Sequence, residues 1–263
     1  MKFGLIGNTR IQATKGAKAT CPLCGEQLIA KCGEIRTNHW SHKRSSLCDP
    51  WWENETMWHR IWKNNFPESW QEKAHHDELT GEKHIADVFT PHGLAIEFQH
   101  SHISSEERLS RELFYKRMIW VVDGSRLKND FTRFVSGLNS LRKTSSSGLF
   151  TLQTPRELFP SSWTECTATV AFDFRGGGST ESVSTLKNKI ICLLPQHHQR
   201  VRFVLVLTRE DFVEFLSNDE LLEFLISGVL PPKKSSANPP TFNRPTRQSY
   251  SPRSTHRLKR RRF

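Results

Sequence analysis

The sequence predicts a mixed α/β protein whose core runs helix, three strands, helix, strand, with a small metal-binding domain ahead of it and a disordered basic tail behind. Three observations predict this. Between residues 51 and 130 the hydrophobic period switches from helical to alternating and back. Ahead of that stretch, Cys21-x2-Cys24 and His39-x2-His42 are separated by fourteen residues, the pattern of two metal-binding knuckles. At the far end, residues 231–263 carry ten Lys and Arg and no acid.

The net charge of +11 therefore belongs to the tail, because the other 230 residues hold 28 basic and 27 acidic side chains. A segment of Pro, Ser, Lys and Arg cannot bury enough apolar surface to fold. Lys233, Lys234, Arg257, Lys259, Arg260, Arg261 and Arg262 are read as an electrostatic anchor for nucleic acid, adding affinity without sequence choice. The bland alternative is a chain end with no function. The stretch from Met1 to Ile11 is broken by Gly4, Gly7 and Asn8 and lacks the pattern of a signal peptide. No window approaches the roughly 18 apolar residues of a membrane span. The expectation is a soluble, cytoplasmic protein. Four of the six cysteines fall within residues 21–48 among histidines, which reads as a metal site and not a disulfide framework.

Residues 1–50 form the first expected domain. Cys21, Cys24, His39 and His42 are four soft or borderline ligands suited to tetrahedral Zn²⁺ in a structural role, and Cys32 and Cys48 stand as alternatives to either histidine. Lys15, Lys18, Lys31, Arg36, Lys43 and Arg44 around them point to phosphate contact.

Residues 51–130 form the core. Glu55, Trp58, His59 and Trp62 share one face of a helix expected from Glu53 to Asn64. Strands are expected at Trp70–His76, His84–Thr90 and Leu94–His100. Ser104 and Glu107 form a capping box for a helix expected to bury Leu109 and Leu113. The apolar strand Met118–Val122 follows, and the helix between two strands implies a parallel pair. Residues 131–230 give fainter signals and are read as an α+β region. The tryptophans at 40, 51, 52, 58, 62 and 70 are read as seating the first domain on the core.

The hairpin of the second and third strands carries the chemistry. A three-residue loop, Pro91-His92-Gly93, with Gly93 in the left-handed position, places Asp87 opposite Glu97, and alternation puts Gln99 on the same face. A four-residue loop would bury one carboxylate among Ala86, Val88, Leu94, Ile96 and Phe98, at a cost of several kcal/mol or more. Two facing carboxylates repel each other unless a cation joins them, and oxygen ligands suit Mg²⁺ or Mn²⁺. Glu55 is a third carboxylate in reach if the first helix crosses the sheet. His59 and Lys63, on the same helix, stand behind these as second-tier candidates.

His84-Ile85-Ala86-Asp87-Val88, Ile96-Glu97-Phe98-Gln99-His100-Ser101, Phe114-Tyr115-Lys116, Trp120-Val121-Val122-Asp123 and Glu55-Thr56-x-x-His59-x-x-x-Lys63 resemble the CoiA-like competence-protein family. The resemblance extends to the Cys-Pro-x-Cys and His-x-x-His pairs. It is close over residues 1–130, thinner to about 216, and absent from the tail. It implies the PD-(D/E)XK restriction-endonuclease-like αβββαβ fold, with Asp87 and Glu97 as the acids of its two motifs, Glu55 as the acid on the first helix and Gln99 in place of the usual Lys. A Gln amide can only hydrogen-bond where a Lys would carry charge.

The expected function is a Mg²⁺- or Mn²⁺-dependent deoxyribonuclease of competence or DNA-processing type, with catalytic residues Glu55, Asp87, Glu97 and Gln99. Its expected partners are single- or double-stranded DNA and proteins of uptake or recombination. One alternative is an accessory protein that binds single-stranded DNA without cutting it, and Gln99 favours that alternative. Another is a restriction-like defence nuclease.

Overall fold

The computed structural model describes residues 1–34, 37–43, 48–51, 55–175, 184–195, 201–217 and 219–227. The basic tail, including Lys233, Lys234, Arg257, Lys259, Arg260, Arg261 and Arg262, lies outside the described residues, as do Arg36, Arg44, Trp52 and Glu53. Among the described residues no helix is long and apolar enough to cross a membrane.

The N-terminal part is a small antiparallel sheet of β1 (Phe3–Ile6), β2 (Thr9–Gln12), β3 (Lys18–Thr20), β4 (Gln27–Lys31) and β5 (His39–His42), in the order β2-β1-β3-β4-β5. Its core is Met1, Ala13, Ala19, Cys21, Leu28 and the fully buried Trp40. The strands close tightly over that indole. A Cβ at Gly4 would stand 2.8 Å from Ala19 and 3.2 Å from Trp40, so this strand position admits no side chain.

Helix α1 (Met57–Lys63) leads into the second sheet. It begins later than the periodicity predicts because Thr56 caps it, accepting from His59 N while the His59 side chain accepts from Thr56 N. Then come β6 (Gln71–His76), β7 (Lys83–Phe89), β8 (Ala95–Gln99), α2 (Ser105–Tyr115), β9 (Met118–Asp123) and α3 (Lys128–Gly137). The expected order of helix, three strands, helix and strand is present, and β8 and β9 are parallel.

The sheet does not stop at residue 130. The chain adds β10 (Arg142–Lys143), β11 (Leu149–Leu152), α4 (Ser161–Thr164), β12 (Thr169–Asp173), α5 (Ser184–Lys187), β13 (Lys189–Leu193), β14 (Arg202–Thr208), α6 (Arg209–Ser217) and α7 (Asp219–Ser227). Strand β12 pairs parallel with β9, giving among the described residues nine strands in the order β10-β11-β14-β13-β12-β9-β8-β7-β6. Met1–Leu230 form one compact unit.

Both faces of this sheet are covered, as parallel pairs require. Trp120, Val122, Val170 and Phe172 meet Phe131 and Phe134 of α3 on one face. Ile119, Val121 and Ala171 meet Trp62, Phe66 and Phe212 on the other. Helix α2 is turned opposite to expectation. Leu109 and Leu113 are 45% and 66% exposed, while Arg108, Arg111 and Glu112 are buried. Polar partners select that face. Arg108 donates to Ser162 O and Cys166 Sγ, and Glu112 accepts from Trp120 Nε1 and from the Thr167 backbone and hydroxyl.

Candidate functional site

In the N-terminal sheet, the turn between β3 and β4 is a tight knuckle. Gly25 N donates to Cys21 O at 2.9 Å, and Leu23 N donates to Cys21 Sγ at 3.4 Å. Cys21 and Cys24 are thereby aimed at the end of β5. The Cys24 and His42 side chains meet at 3.3 Å (Sγ to Nε2), and the Cys21 and Cys48 sulfurs lie 3.6 Å apart. One ligand atom from each of Cys21, Cys24, His42 and Cys48 lies within 4.8 Å of all the others. Burial pushes the Cys21 and Cys48 thiols up, which leaves protonated sulfurs crowded together unless a cation takes them as thiolates. Three Cys and one His fit a tetrahedral Zn²⁺ with no open position.

His39, expected as a ligand, is not in this set; its Nδ1 lies 2.9 Å from Thr37 O. The reason is the strand. Positions three apart in β5 point to opposite faces, so His39 and His42 cannot converge on one ion. Cys48 stands in the fourth place of the cluster.

The next residue, Asp49, ties this centre to the larger sheet. Its carboxylate accepts from Ile85 N at 2.9 Å and contacts His84 Nδ1 at 3.0 Å, both on β7. Two residues further along β7 is Asp87.

The β7–β8 hairpin has the expected register. Val88 pairs with Ile96 and Phe89 with Ala95. Thr90 N donates to Leu94 O, and Gly93 has φ +77°, a left-handed turn position that glycine occupies without strain. One step beyond the paired residues, the Glu97 carboxylate clasps the Asp87 backbone and the Asp87 carboxylate clasps that of Phe98, the next residue on the facing strand. Asp87 N donates to Glu97 Oε1 at 3.3 Å, and Phe98 N donates to Asp87 Oδ2 at 3.0 Å.

Each acid faces a cation from a different helix. Lys63 of α1 lies 3.1 Å from Asp87, and Arg111 of α2 lies 3.1 Å from Glu97. Burial and the neighbouring charge of Asp87 raise Glu97 to about 8, against the pull of Arg111. Glu72, on β6, lies 2.9 Å from Lys63 and accepts from Lys2 N and Phe3 N of the first sheet. Burial pushes Glu72 up, but Lys63, the N-terminal ammonium and those two N–H groups outweigh it and hold it at about 2. Lys63 is itself pulled down by burial, yet Glu72, Asp87 and Glu55 together raise it well above the usual lysine value.

These side chains line one cavity of about 410 Å³. Glu55, His59, Lys63, Glu72, Asp87, Glu97 and Arg111 form its larger-sheet side, and Trp40–Lys43 and Cys48–Trp51 form the other wall. Of the residues the sequence singles out, Asp87, Glu97, Glu55, His59 and Lys63 are therefore brought together. The Glu55 carboxylate is turned to Arg60, 2.6 Å from its Nε. Among the described residues, Glu55, Asp87 and Glu97 do not bring one oxygen each within 4.8 Å of one another. Both ring nitrogens of His59 are engaged, Nδ1 by Thr56 and Nε2 by Phe98 O. Gln99 does not line the cavity, and its amide donates to Ser101 O.

Glu72, Asp49 and Arg111 are missed by the sequence reading. Glu72 carries no local signal, since its place depends on a backbone with φ +46° that skips a pairing step between Gln71–Val88 and Lys73–Ala86. Arg111 has one legible trace, Glu107 four residues earlier on α2.

No curated protein and no solved structure matches the chain. Residues 7–50, which carry β2 to β5 with Cys21, Cys24, His42 and Cys48, match the family model described as Competence protein CoiA, N-terminal domain.

Proposed function

We propose that the chain is a metal-dependent nuclease of the PD-(D/E)XK type that hydrolyses a phosphodiester of DNA. The observation that carries this reading is the Asp87–Glu97 pair in a cavity, with Glu97 raised to about 8 by burial and by Asp87. A buried Glu97 beside a half-buried Asp87 favours a cation between them, since each charge otherwise raises the cost of the other. Mg²⁺ and Mn²⁺ take one or two carboxylates and fill their remaining positions with water and substrate oxygens, so Asp87 and Glu97 fit such an ion without Glu55. When bound, the ion supplies a water of lowered pKa and polarises the phosphodiester.

The chain's own residues do the rest. The reciprocal hydrogen bonds of Asp87 N and Phe98 N fix both carboxylates on the hairpin. Arg111 and Lys63 bring positive charge from two sides and offset part of the negative charge of the acids around them. In this reading the wall formed by Trp40–Lys43 and Cys48–Trp51, which includes His42 and Cys48 of the thiol cluster, seats the substrate beside the acids. The competence-related likeness of residues 7–50 fits a role in handling incoming DNA. The basic composition of residues 231–263 adds a phosphate-binding segment.

A second reading is a DNA-binding accessory protein without cleavage. It is favoured by the ion pairs that already satisfy Asp87 and Glu97 through Lys63 and Arg111. Incubating the purified protein with labelled single-stranded DNA, double-stranded DNA and RNA in Mg²⁺ or Mn²⁺ separates the two. The nuclease reading expects cleavage that Asp87→Ala and Glu97→Ala abolish. Variants that cut as fast as wild type would remove the site, and tight binding without cleavage in any divalent ion would select the accessory role.

A further inference from the structure

We infer that Lys63 is the resident cation of the carboxylate cavity and the group that meets the charge of a bound phosphodiester oxygen. This deepens the nuclease reading and rests on it.

The Lys63 ammonium has three N–H donors and three carboxylates around it. Glu72 lies at 2.9 Å, Asp87 at 3.1 Å and Glu55 at 3.4 Å. The position is built. Thr56 fixes the start of α1, and Gln71 Nε2 donates to Lys63 O at 2.8 Å in its last turn. Stability alone does not call for such a cluster, because buried ion pairs exchanged for packed apolar groups leave a fold as stable or more so.

The three acids are not equivalent. Glu55 has Arg60, and Glu72 has the Lys2 and Phe3 backbone N–H groups. Both side chains are nearly fully buried. The Asp87 side chain is 22% exposed and shares its gap with Glu97. It is the exchangeable partner. Once Asp87 turns its charge to a divalent ion, one N–H of Lys63 is released toward the cavity, and the anion it suits is a non-bridging phosphate oxygen. The other cations that line the cavity are placed differently: the N-terminal ammonium lies 3.8 Å from Glu55, and Lys43 is exposed at the opposite wall. Arg111 is held by Glu97, Glu107 and Trp51 O, and the Gln99 amide, engaged with Ser101 O, brings no charge.

The role makes two demands that pull apart. Removing the ammonium frees Asp87 from a competitor, so a divalent ion binds more tightly. The same change removes charge stabilisation from the reacting phosphate, so cleavage falls. A purely structural lysine would weaken both.

The test uses the full-length, zinc-loaded protein. Mn²⁺ binding is measured by calorimetric titration without DNA, and cleavage is measured at saturating Mn²⁺. Lys63→Gln is expected to bind Mn²⁺ about tenfold more tightly and to cleave about a hundredfold more slowly, with Lys63→Arg recovering part of the rate. If Lys63→Gln does not fold by circular dichroism, the charge-balanced pair Lys63→Met with Glu72→Gln takes its place with the same expectations. Unchanged or weaker Mn²⁺ binding, or cleavage at the wild-type rate, overturns the inference. Wild-type protein that binds Mn²⁺ and cuts nothing overturns the nuclease reading and with it the substrate half of the inference. The Mn²⁺ comparison then decides the resident-cation half alone.

Discussion

Arg111 reaches from α2 to within 3.1 Å of Glu97, yet Glu97 is still raised to about 8 because burial and the Asp87 charge outweigh the guanidinium. This fixes a pH dependence. The ordinary value is 4.5, so between there and about 8 the folded chain holds a proton that the unfolded chain has lost. Stability from this group is full below about pH 4.5 and is lost as pH rises through about 8. The expected slope is on the order of 1 kcal/mol per pH unit. Burial lowers His75 from 6.5, and that residue acts in the opposite sense, adding stability as pH rises toward 6.5. Urea denaturation of wild type against Glu97→Gln between pH 5 and 9, without added Mg²⁺ or Mn²⁺, therefore isolates Glu97. Parallel curves would show that Glu97 titrates normally.

The thiol centre makes a sharper prediction. Cys48→Ser removes one of four converging ligands, so the purified variant is expected to hold well under one equivalent of zinc by atomic absorption. His39→Ala is expected to hold a full equivalent, since His39 points away from the cluster. The reverse pattern would restore the paired His-x-x-His ligation that the spacing predicts.

Asp173 is expected to matter for stability more than any strand-end acid should. It accepts from Trp58 Nε1 at 3.0 Å, Trp62 Nε1 at 2.9 Å and Arg175 N at 2.9 Å, and pairs with Arg209. Asp173→Ala leaves the Arg209 charge and two indole N–H groups without their acceptor. The expected loss is about 3–5 kcal/mol in urea denaturation. A change under about 1 kcal/mol would mean that water or a neighbour replaces the carboxylate.

Helix α2 offers a test of orientation. Leu109→Glu and Leu113→Glu are expected to change stability by less than about 0.5 kcal/mol, because both side chains are exposed. Arg108→Leu is expected to cost about 1–3 kcal/mol, since Ser162 O loses its donor. The opposite ranking would turn the helix back to its apolar face.

That helix also shows where sequence reasoning fails. Periodicity buries leucines when the facing surface is apolar. Here the facing surface offers Trp120 Nε1 and Glu97 together with Ser162 O, Thr167 and Cys166 Sγ, and the last three come from a segment 54 to 58 residues away that no local window contains. The hairpin was legible because its determinants are local: Gly93 sets the turn, and the cost of burying a carboxylate among apolar side chains sets the register. The thiol cluster was legible in three of its four named members, Cys21, Cys24 and His42, with Cys48, a named alternative, in place of His39. Cys21-x2-Cys24 sits on a turn, where two-residue spacing converges, but His39 and His42 sit on a strand, where it diverges. Glu72 was invisible, because its partners Lys2, Phe3 and Lys63 meet only after both sheets have formed.

Cys48 and Asp49 are neighbours in the chain but face two different centres: Cys48 belongs to the thiol cluster, and Asp49 grips β7 two residues before the base of the acid hairpin. A chelator that strips a metal from the thiol cluster is therefore expected to loosen the wall of the acid cavity. On the nuclease reading, inhibition by EDTA is expected to be a compound event, and the order of add-back separates its parts. Zn²⁺ is expected to restore the frame, and Mg²⁺ given afterwards the cleavage that this reading proposes. Mg²⁺ given alone to fully stripped protein meets an acid pair whose strand has lost its mooring.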